Sequence, residues 1–404
     1  MHRKPALVIL LGAGASKVLG LPLSKELNPH VDTFLKNHYP TVHDALTYAH
    51  PKVLSGRGGF EDDINTLESL ISLTYNRFYK TYISSVAPLV QAIPAHSMIL
   101  DEITLNDALD KVLQEVEAVI SSAQRGVARG LIFSTATFFN RLAAVYRLKV
   151  YTVNYDTTID QMLACVGRPN DGYAPLLPDV DVFSAKKFFR GKGVRLAHLH
   201  GSLDFGFLDE TSPDLTPAQL VKPRLGTLPR RPLLSYIVSK TAATDFIVYA
   251  KIVTGLRKLE KTKLEPYGAY SYAFASDLLD AGRLLVIGYS GNDLYLNLQI
   301  ERAIRFDPGT WRSVLVTNDP PKHDDSTGYL PALLAGLVSG PELQPLFERI
   351  ASAGKVPGVF QEGSLGIDIN GWRPHDKGQM QGLLRALRRP PRFCQWLRGK
   401  STPR

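Results

Sequence analysis

Cysteine is scarce in this chain, whose 404 residues include only Cys165 and Cys394. Two cysteines so far apart in sequence form no disulfide framework, and the absence of a C-x-x-C pair excludes a thiolate zinc site. This usage is typical of a protein from a reducing compartment, so we predict a cytoplasmic location.

Long apolar runs are also missing. No run approaches the roughly 20 residues that a membrane helix needs, so we expect no membrane association. The N-terminus imitates a signal peptide, because basic residues precede the apolar run Ala6–Leu11 and an A-x-A site follows at Ala13–Ala15. The apolar run is short for a signal peptide, and we prefer to interpret it as a buried strand followed by a glycine turn.

Most of the chain has almost no net charge. The formal charge is +9, but residues 373–404 hold nine Lys/Arg and one acidic residue, which leaves only +1 for residues 1–372. This argues against nucleic-acid binding spread over the whole fold. The basic tail 373–404 is either a solvated helix or a docking segment for an acidic partner surface or nucleic acid, with Phe393 and Trp396 as anchors.

Five apolar runs end in polar or glycine turns and are predicted to be buried strands. They are Ala6–Leu11, Lys149–Val153, Val194–Leu199, Arg283–Ile287 and Arg312–Thr317. Continuous rather than alternating runs are typical of parallel strands covered by helices on both faces. With 44% hydrophobic and 21% charged residues, the chain is predicted to be a globular α/β protein with a doubly wound parallel sheet.

Two intervals are too long for simple crossovers and are predicted to be insertions. Residues 20–148 have apolar residues at helical spacing, such as Leu105, Leu109 and Val112, and would either cover the sheet or provide an oligomer interface. Residues 201–282 begin with a Pro-rich loop, which either covers a site or is a surface connection. A helix is expected to follow there. Its apolar side would hold Phe246, Val248, Tyr249, Ile252 and Leu256.

The first candidate site is the turn after the first predicted strand, formed by Gly12, Ala13, Gly14, Ala15 and Ser16. Small residues let a backbone approach a pyrophosphate, and the amides of the next helix would face its charge. A tight turn without a ligand is the alternative. Position 17 is Lys, so the third glycine of the dehydrogenase fingerprint is missing and hydride transfer is disfavoured.

Polar residues also end the second and third strands. Alternation places Thr152, Asn154 and Asp156 on one side of the second, at the edge where parallel sheets bind ligands. A helix cap before Thr157 is an equally good interpretation. At the third strand His200 is a candidate general base, although a single histidine is more often structural, and His198 lies deeper and is assigned a structural role.

The last two strand ends carry Gly288-Tyr289-Ser290-Gly291-Asn292-Asp293 and Asn318-Asp319. Either segment would bind ribose hydroxyls or cap a loop. In chain order the five strand ends therefore read G-A-G-A-S, T-x-N-Y-D, H-L-H-G-S, G-Y-S-G-N-D and V-T-N-D.

This ordered set resembles the sirtuin-related, SIR2-like family, and more closely its branch found in bacterial anti-phage defence proteins. The resemblance implies a Rossmann-like domain over residues 1–320 that takes NAD as its substrate. The matching NAD-binding positions are Gly12, Ala13, Gly14, Ala15, Ser16, Thr152, Gly288, Ser290 and Asn318. It further implies a catalytic role for Asn154, Asp156 and His200, with residues 321–404 as a C-terminal extension.

The chain departs from sirtuin deacylases in two ways. It lacks the four-cysteine zinc module, so no metal is expected, and G-L-P-L-S-K at Gly20–Lys25 replaces the family's G-I-P-D-F-R. Relatives that share these departures are typically NAD+ hydrolases. The resemblance therefore implies an NAD+ glycohydrolase that releases nicotinamide and ADP-ribose. The alternatives are a catalytically silent NAD- or ADP-ribose-binding subunit, a deacylase and an ADP-ribosyltransferase.

An enzyme that consumes NAD+ must be controlled. The resemblance implies homo-oligomers and a separate activator such as a HerA-like ATPase or a short Argonaute. Nucleic acid would act only indirectly or through the basic tail 373–404.

Overall fold

Strands and helices alternate through the part of the chain that the computed structural model describes. The described residues are 4–53, 59–75, 102–167, 169–208, 219–224, 226–227, 233–240, 246–254, 258–291, 293–306, 312–316, 360–362, 365–368 and 377–388. Their strands are β1 Ala6–Leu11, β2 Arg147–Thr152, β3 Tyr173–Pro175, β4 Val180–Phe183, β5 Arg195–His198, β6 Gly206–Phe207, β7 Leu220–Pro223, β8 Tyr236–Lys240, β9 Phe246–Ala250, β10 Arg283–Ile287, β11 Arg312–Val316, β12 Phe360–Glu362 and β13 Leu365–Asp368.

The helices lie mainly in the first third of the chain and around β10. They are α1 Ala13–Lys17, α2 Ser24–His38, α3 Pro40–Val53, α4 Phe60–Tyr75, α5 Glu102–Gly126, α6 Arg129–Val145, α7 Thr158–Ala164, α8 Ala185–Arg190, α9 Lys258–Lys261, α10 Tyr267–Ala281, α11 Leu294–Phe306 and α12 Lys377–Arg388. Among the described residues, no helix is long and apolar enough to cross a membrane.

The main sheet has seven strands in the order β12-β13-β11-β10-β1-β2-β5. Its neighbours run parallel, except that β12 and β13 are antiparallel. From β1 the chain builds outward first through β2 and β5, and later through β10 and β11. This reversal makes the sheet doubly wound, as predicted, and places a crevice between the carboxyl ends of β1 and β10.

Both faces of β1 are buried, which explains its unbroken apolar sequence. Leu7, Ile9 and Leu11 belong to the core shared with α2 to α6. Val8 and Leu10 belong to the second core, which α10 and α11 cover. Because water contacts neither face, polar residues are excluded along the whole strand.

The helical spacing predicted within residues 20–148 is confirmed in α4 and α5. On α5, Leu105, Leu109 and Val112 are fully buried. The helices α2 to α6 pack on one face of the main sheet, so they cover it in the way that one of the two interpretations expected. Self-association through them stays a prediction.

The prediction of a helix around Phe246–Leu256 is wrong. Phe246–Ala250 is instead strand β9, paired antiparallel with β8. Its sequence F-I-V-Y-A is aromatic and β-branched, which favours a strand over a helix in a short apolar run. A separate antiparallel sheet in the order β3-β4-β7-β6 was also not predicted.

The C-terminal region contributes to the main sheet. Strand β13 pairs with β11, and Met380, Leu383 and Leu387 of α12 enter the core beside β1. A boundary at residue 320 would therefore divide one continuous sheet. The end of the basic tail, with Phe393 and Trp396, lies outside the described residues, so its role stays a prediction.

Candidate active site

Two glycine turns pack against each other at the carboxyl ends of β1 and β10. The N–H of Gly12 donates to the Ile287 carbonyl (2.9 Å), and the N–H of Gly14 donates to the Gly288 carbonyl (2.9 Å). A Cβ atom on Gly12 would lie 2.5 Å from the Cα of Tyr289, and Gly288 has a φ of +63°. Glycine is therefore required here for backbone packing, whether or not the turn also binds a ligand.

Asn154 lies just after β2 and is fixed to the first turn. Its side-chain Nδ2 donates to the Gly12 carbonyl (3.0 Å) and to the Ser16 hydroxyl (2.8 Å). The residue is only 9% exposed, yet its Oδ1 has no hydrogen-bond partner among the residues that the structure describes. A buried acceptor without a donor costs free energy, which a bound molecule with a hydroxyl group would recover.

Ser16, Thr152 and Asp156 hold Asn154 in place. The Ser16 hydroxyl donates to Asp156 Oδ2 (2.7 Å), and Thr152 Oγ1 accepts from the Asn154 backbone N–H (3.0 Å). Asp156 Oδ1 accepts from the backbone N–H of Thr158 (3.0 Å), at the start of α7. The N-cap residue of α7 is Thr157, so Asp156 lies one position before the cap, and its two oxygens are occupied within the protein.

His200 lies two residues after β5 and contacts a residue from the other side of the crevice. Its Nε2 lies 2.8 Å from Asp293 Oδ2, and Lys258 Nζ lies 3.1 Å from the same oxygen. Burial and the Lys258 charge lower the pKa of His200, although Asp293 opposes this. Despite burial, the hydrogen bond from His200 and the charge of Lys258 hold the pKa of Asp293 well below its usual range.

The turn at Gly288–Asp293 connects the hydrogen-bonded residues around Asn154 with the pair of His200 and Asp293. Tyr289 packs on Gly12, next to Asn154, while Asp293 of the same turn contacts His200. His200, Lys258 and Asp293 also line a cavity of about 300 Å³. Leu294, Tyr295 and Leu298 line the same cavity.

The helical insertion contributes one carboxylate to this region. Glu61 of α4 accepts a hydrogen bond from the Tyr155 hydroxyl (3.2 Å), and its charge also acts on His200. Burial and the Glu61 charge raise the pKa of Tyr155, so the phenol stays protonated. The insertion therefore contributes to the environment of the site as well as to the core.

His198 has a different environment from His200, two residues away. Its Nε2 lies 2.9 Å from Asp160 Oδ2, and the ring is buried. Burial alone would lower its pKa, but Asp160 and Asp204 raise it overall. This buried pair with Asp160 fits the structural role that was assigned to His198 from the sequence.

Most of the predicted site residues belong to two groups, and His200 lies apart from them in its pair with Asp293. Gly12, Ser16, Thr152, Asn154 and Asp156 are joined by hydrogen bonds, and Ala13, Gly14, Ala15 and Gly288 belong to the packed turns. Ser290 is exposed beside them. Asn318 lies outside the described residues.

Sequence reasoning assigned no role to Lys258 or Glu61, and it gave Asp293 only as part of a segment that would bind ribose hydroxyls or cap a loop. Only Asp293 carried a signal, because it ends the turn that begins at Gly288. Lys258 and Glu61 reach the site from elements that resemble ordinary surface helices in sequence. In the described part of the chain, no group of three or more His, Cys, Asp or Glu residues could hold a metal ion.

No protein-family model and no curated protein matches this chain. Solved structures do match it. Several of them are Sir2 homologues. A Sir2 homologue in complex with NAD is 12% identical and has a TM-score of 0.34, with 87% of this chain and 91% of the homologue covered.

Two further structures have comparable values. A Sir2 homologue mutant in complex with ADP-ribose is 13% identical with a TM-score of 0.32, covering 87% of this chain and 94% of the homologue. Sir2Tm bound to a propionylated peptide is 12% identical with a TM-score of 0.30, covering 86% and 94%. The α/β fold described above rests on the strand order of this chain itself.

Proposed function

We propose that this protein is an NAD+ glycohydrolase, which splits NAD+ into nicotinamide and ADP-ribose. The observation that carries the proposal is the Oδ1 of Asn154, which accepts no hydrogen bond from the described part of the chain and is buried beside two glycine turns at the switch point of a doubly wound sheet. An acceptor of this kind fits a ribose hydroxyl or a water molecule. The five sequence motifs, which resemble those of SIR2-like proteins, agree with this substrate.

The arrangement suits the bond that must be broken. Nicotinamide leaves NAD+ as a neutral molecule, so no general acid is needed, and the ribose acquires oxocarbenium character, as in glycoside hydrolysis. Asn154 holds a hydroxyl or a water without ionising. His200 stays neutral because its pKa is lowered, so it can accept the proton of the attacking water.

The hydrogen bonds around Asn154 limit what its neighbouring residues can do in catalysis. Ser16 and Asp156 are occupied with one another and with Asn154, so we assign both to positioning Asn154. The N–H of Ala13 is left to face the pyrophosphate, because Ala13 begins α1 and its N–H precedes the first intrahelical bond, whereas the N–H of Gly14 already donates to Gly288. Gly12 and Gly288 keep the two turns close enough to form that surface.

The test is to incubate the purified protein with NAD+ and to measure free nicotinamide and ADP-ribose by chromatography. We expect His200→Ala to lower turnover about 10²- to 10⁴-fold, as for loss of a general base, while NAD+ still binds. Asn154→Ala should lower both binding and turnover. Asn37→Ala and His30→Gln, at exposed positions, are matched controls that should change neither.

Other outcomes would separate the alternatives. Tight NAD+ binding without turnover, with the partner present, would favour a silent binding subunit. Loss of a labelled acyl group from a peptide, or fixation of label from NAD+ on a protein, would favour a deacylase or a transferase. If turnover persists unchanged in both Asn154→Ala and His200→Ala, the assignment of the site is refuted.

We further propose that the enzyme is an anti-phage effector in the cytoplasm, which depletes NAD+ when a partner activates it. The support is the resemblance to defence-type SIR2-like proteins, in which a homo-oligomer works with a HerA-like ATPase or a short Argonaute. Co-expression with each candidate partner, followed by measurement of cellular NAD+ and of the assembly mass by light scattering, tests this. A fall in NAD+ that is independent of every partner would contradict it.

A further inference from the structure

We propose that Asp293 is the positioning residue of His200. In this proposal it fixes the imidazole in the tautomer that carries the proton on Nε2, and leaves Nδ1 as the atom that accepts a proton. The positive charge of Lys258 lies against Asp293 and opposes protonation of the ring, so that His200 stays neutral. The inference rests on the proposed function, in which His200 is the base, and adds two residues to which that function gave no role.

The tautomer follows from the partner of Nε2. An ionised carboxylate has no proton to donate, so a hydrogen bond between Asp293 Oδ2 and His200 Nε2, 2.8 Å apart, requires the proton on Nε2. Asp293 is only slightly exposed and has a second positive partner in Lys258, at 3.1 Å. In neutral histidine a proton on Nε2 leaves the Nδ1 lone pair as the acceptor.

Asp293 is itself held rigidly. Its Oδ1 accepts from the backbone N–H of Leu296 (3.0 Å) at the start of α11, so one oxygen caps the helix while the other faces His200. The Tyr289 hydroxyl accepts from the Asp293 N–H (3.1 Å) and is hydrogen-bonded to Asn297 Oδ1 (3.0 Å). The carboxylate therefore cannot swing away from His200 without breaking the cap.

Contacts of the backbone hold His200 in place. Its carbonyl accepts from the N–H of Val253 (2.7 Å), and the next residue, Gly201, has a φ of +89° and packs against Lys251 and Ile252. The ring is 12% exposed and lines the cavity. In the part of the chain that the structure describes, no group donates to Nδ1, which leaves this nitrogen free for a substrate or water proton.

The charged groups that face His200 come from three elements. Asp293 precedes α11, Lys258 begins α9, and Glu61 belongs to α4, where it bonds the hydroxyl of Tyr155. The two carboxylates would favour a protonated ring, whereas burial and Lys258 favour a neutral one. Lys258 is therefore the group whose removal should shift His200 towards the protonated form.

A competing interpretation is that Asp293 serves only as the cap of α11. Imidazole NMR separates the two, because it reports the position of the proton in the ligand-free protein. We would label histidines with ¹⁵N, assign His200 through His200→Gln, and record long-range ¹H–¹⁵N correlations above the ring's pKa. We expect an Nε2–H tautomer in the wild type. An Nδ1–H tautomer would overturn the inference.

Two variants test the functional side. Asp293→Asn keeps a cap oxygen but loses the charge, and we expect kcat to fall about 10²- to 10⁴-fold with a small change in KM. Lys258→Met should raise the pH at which the rate is half-maximal, because His200 would then protonate more easily. Asp44→Asn and Lys186→Met change exposed residues and should leave both quantities unaltered.

The outcomes distinguish this inference from the proposed function. Normal kcat and pH profile in Asp293→Asn, with only a lower melting temperature, would reduce Asp293 to a cap and refute the positioning role. If the protein carries the Nε2–H tautomer but never cleaves NAD+, even when activated, the proposed glycohydrolase function is refuted. The positioning of His200 by Asp293 would then still stand. Turnover by a wild type that carries the proton on Nδ1 would refute the inference alone.

Discussion

The contact between the two glycine turns can be tested quantitatively, because the chain offers three glycines that separate two costs. Gly20 has a φ of +90° and open space where a Cβ would lie. Gly20→Ala should therefore lower the free energy of unfolding only by the conformational cost, about 1–2 kcal/mol. Gly12 has a φ of −115°, which alanine tolerates, but its Cβ would press on the backbone of Tyr289 and Gly288. Gly12→Ala should therefore lose stability only through crowding, about 1–3 kcal/mol.

Gly288 combines both costs. Its φ is +63°, and a Cβ there would lie 2.6 Å from the Cα of Gly14 and closer still to the N of Ala15. Backbone atoms cannot rotate away as a side chain can, so we expect Gly288→Ala to lose about 2–5 kcal/mol of the free energy of unfolding.

The assay is urea denaturation of the three variants and the wild type, followed by circular dichroism. The expected order of stability is wild type, then Gly20→Ala and Gly12→Ala, then Gly288→Ala. A Gly12→Ala protein as stable as the wild type would show that the turns are not in contact. NAD+ binding should fall in Gly12→Ala, whose carbonyl holds Asn154, and stay normal in Gly20→Ala.

Three further predictions concern charge. Lys261, 2% exposed, forms a buried pair with Glu68, 5% exposed, and Lys261→Met should cost about 3–5 kcal/mol in denaturation experiments, with most of it recovered when Glu68→Met is added. In an NMR titration the pKa of His198 should lie above and that of His200 below about 6.5. The stabilisation from charged His198 should accordingly be full below pH ~6.5 and disappear as the pH rises through its raised pKa, as comparison with His198→Gln would show. Deletion of residues 390–404 should prevent assembly with an acidic partner and leave NAD+ binding intact, and assembly that survives the deletion would identify the tail as a solvated surface segment.

The five central strands were predictable because burial on both faces leaves a continuous apolar run, as in β1. The hairpin of β8 and β9 was not, because Phe246, Tyr249 and Ile252 follow one another at intervals of three, which also fits a helix. A short apolar run does not distinguish the two states, and the pairing that decides between them depends on residues elsewhere in the chain.

The site was predictable to the extent that strand ends meet at one edge. That rule placed Asn154, Asp156 and His200 at that edge, yet it could not assign Ser16 to Asn154 rather than to a ligand. The pairing of His200 with Asp293 joins residues 93 positions apart and depends on the path of a loop. Lys258 and Glu61 contribute through tertiary packing alone, for which no local pattern exists.

The strand order also determines when the site can form during synthesis. Strand β1 is made first, but its two neighbours, β2 and β10, begin at Arg147 and Arg283. A chain that has not reached β10 therefore lacks one wall of the crevice, and it cannot close the His200–Asp293 pair before residue 293 has been translated. Contacts between such distant segments form slowly. If NAD+ is the substrate, this order keeps chains that end before residue 293 inactive and delays any damage to the cell until that residue has been translated.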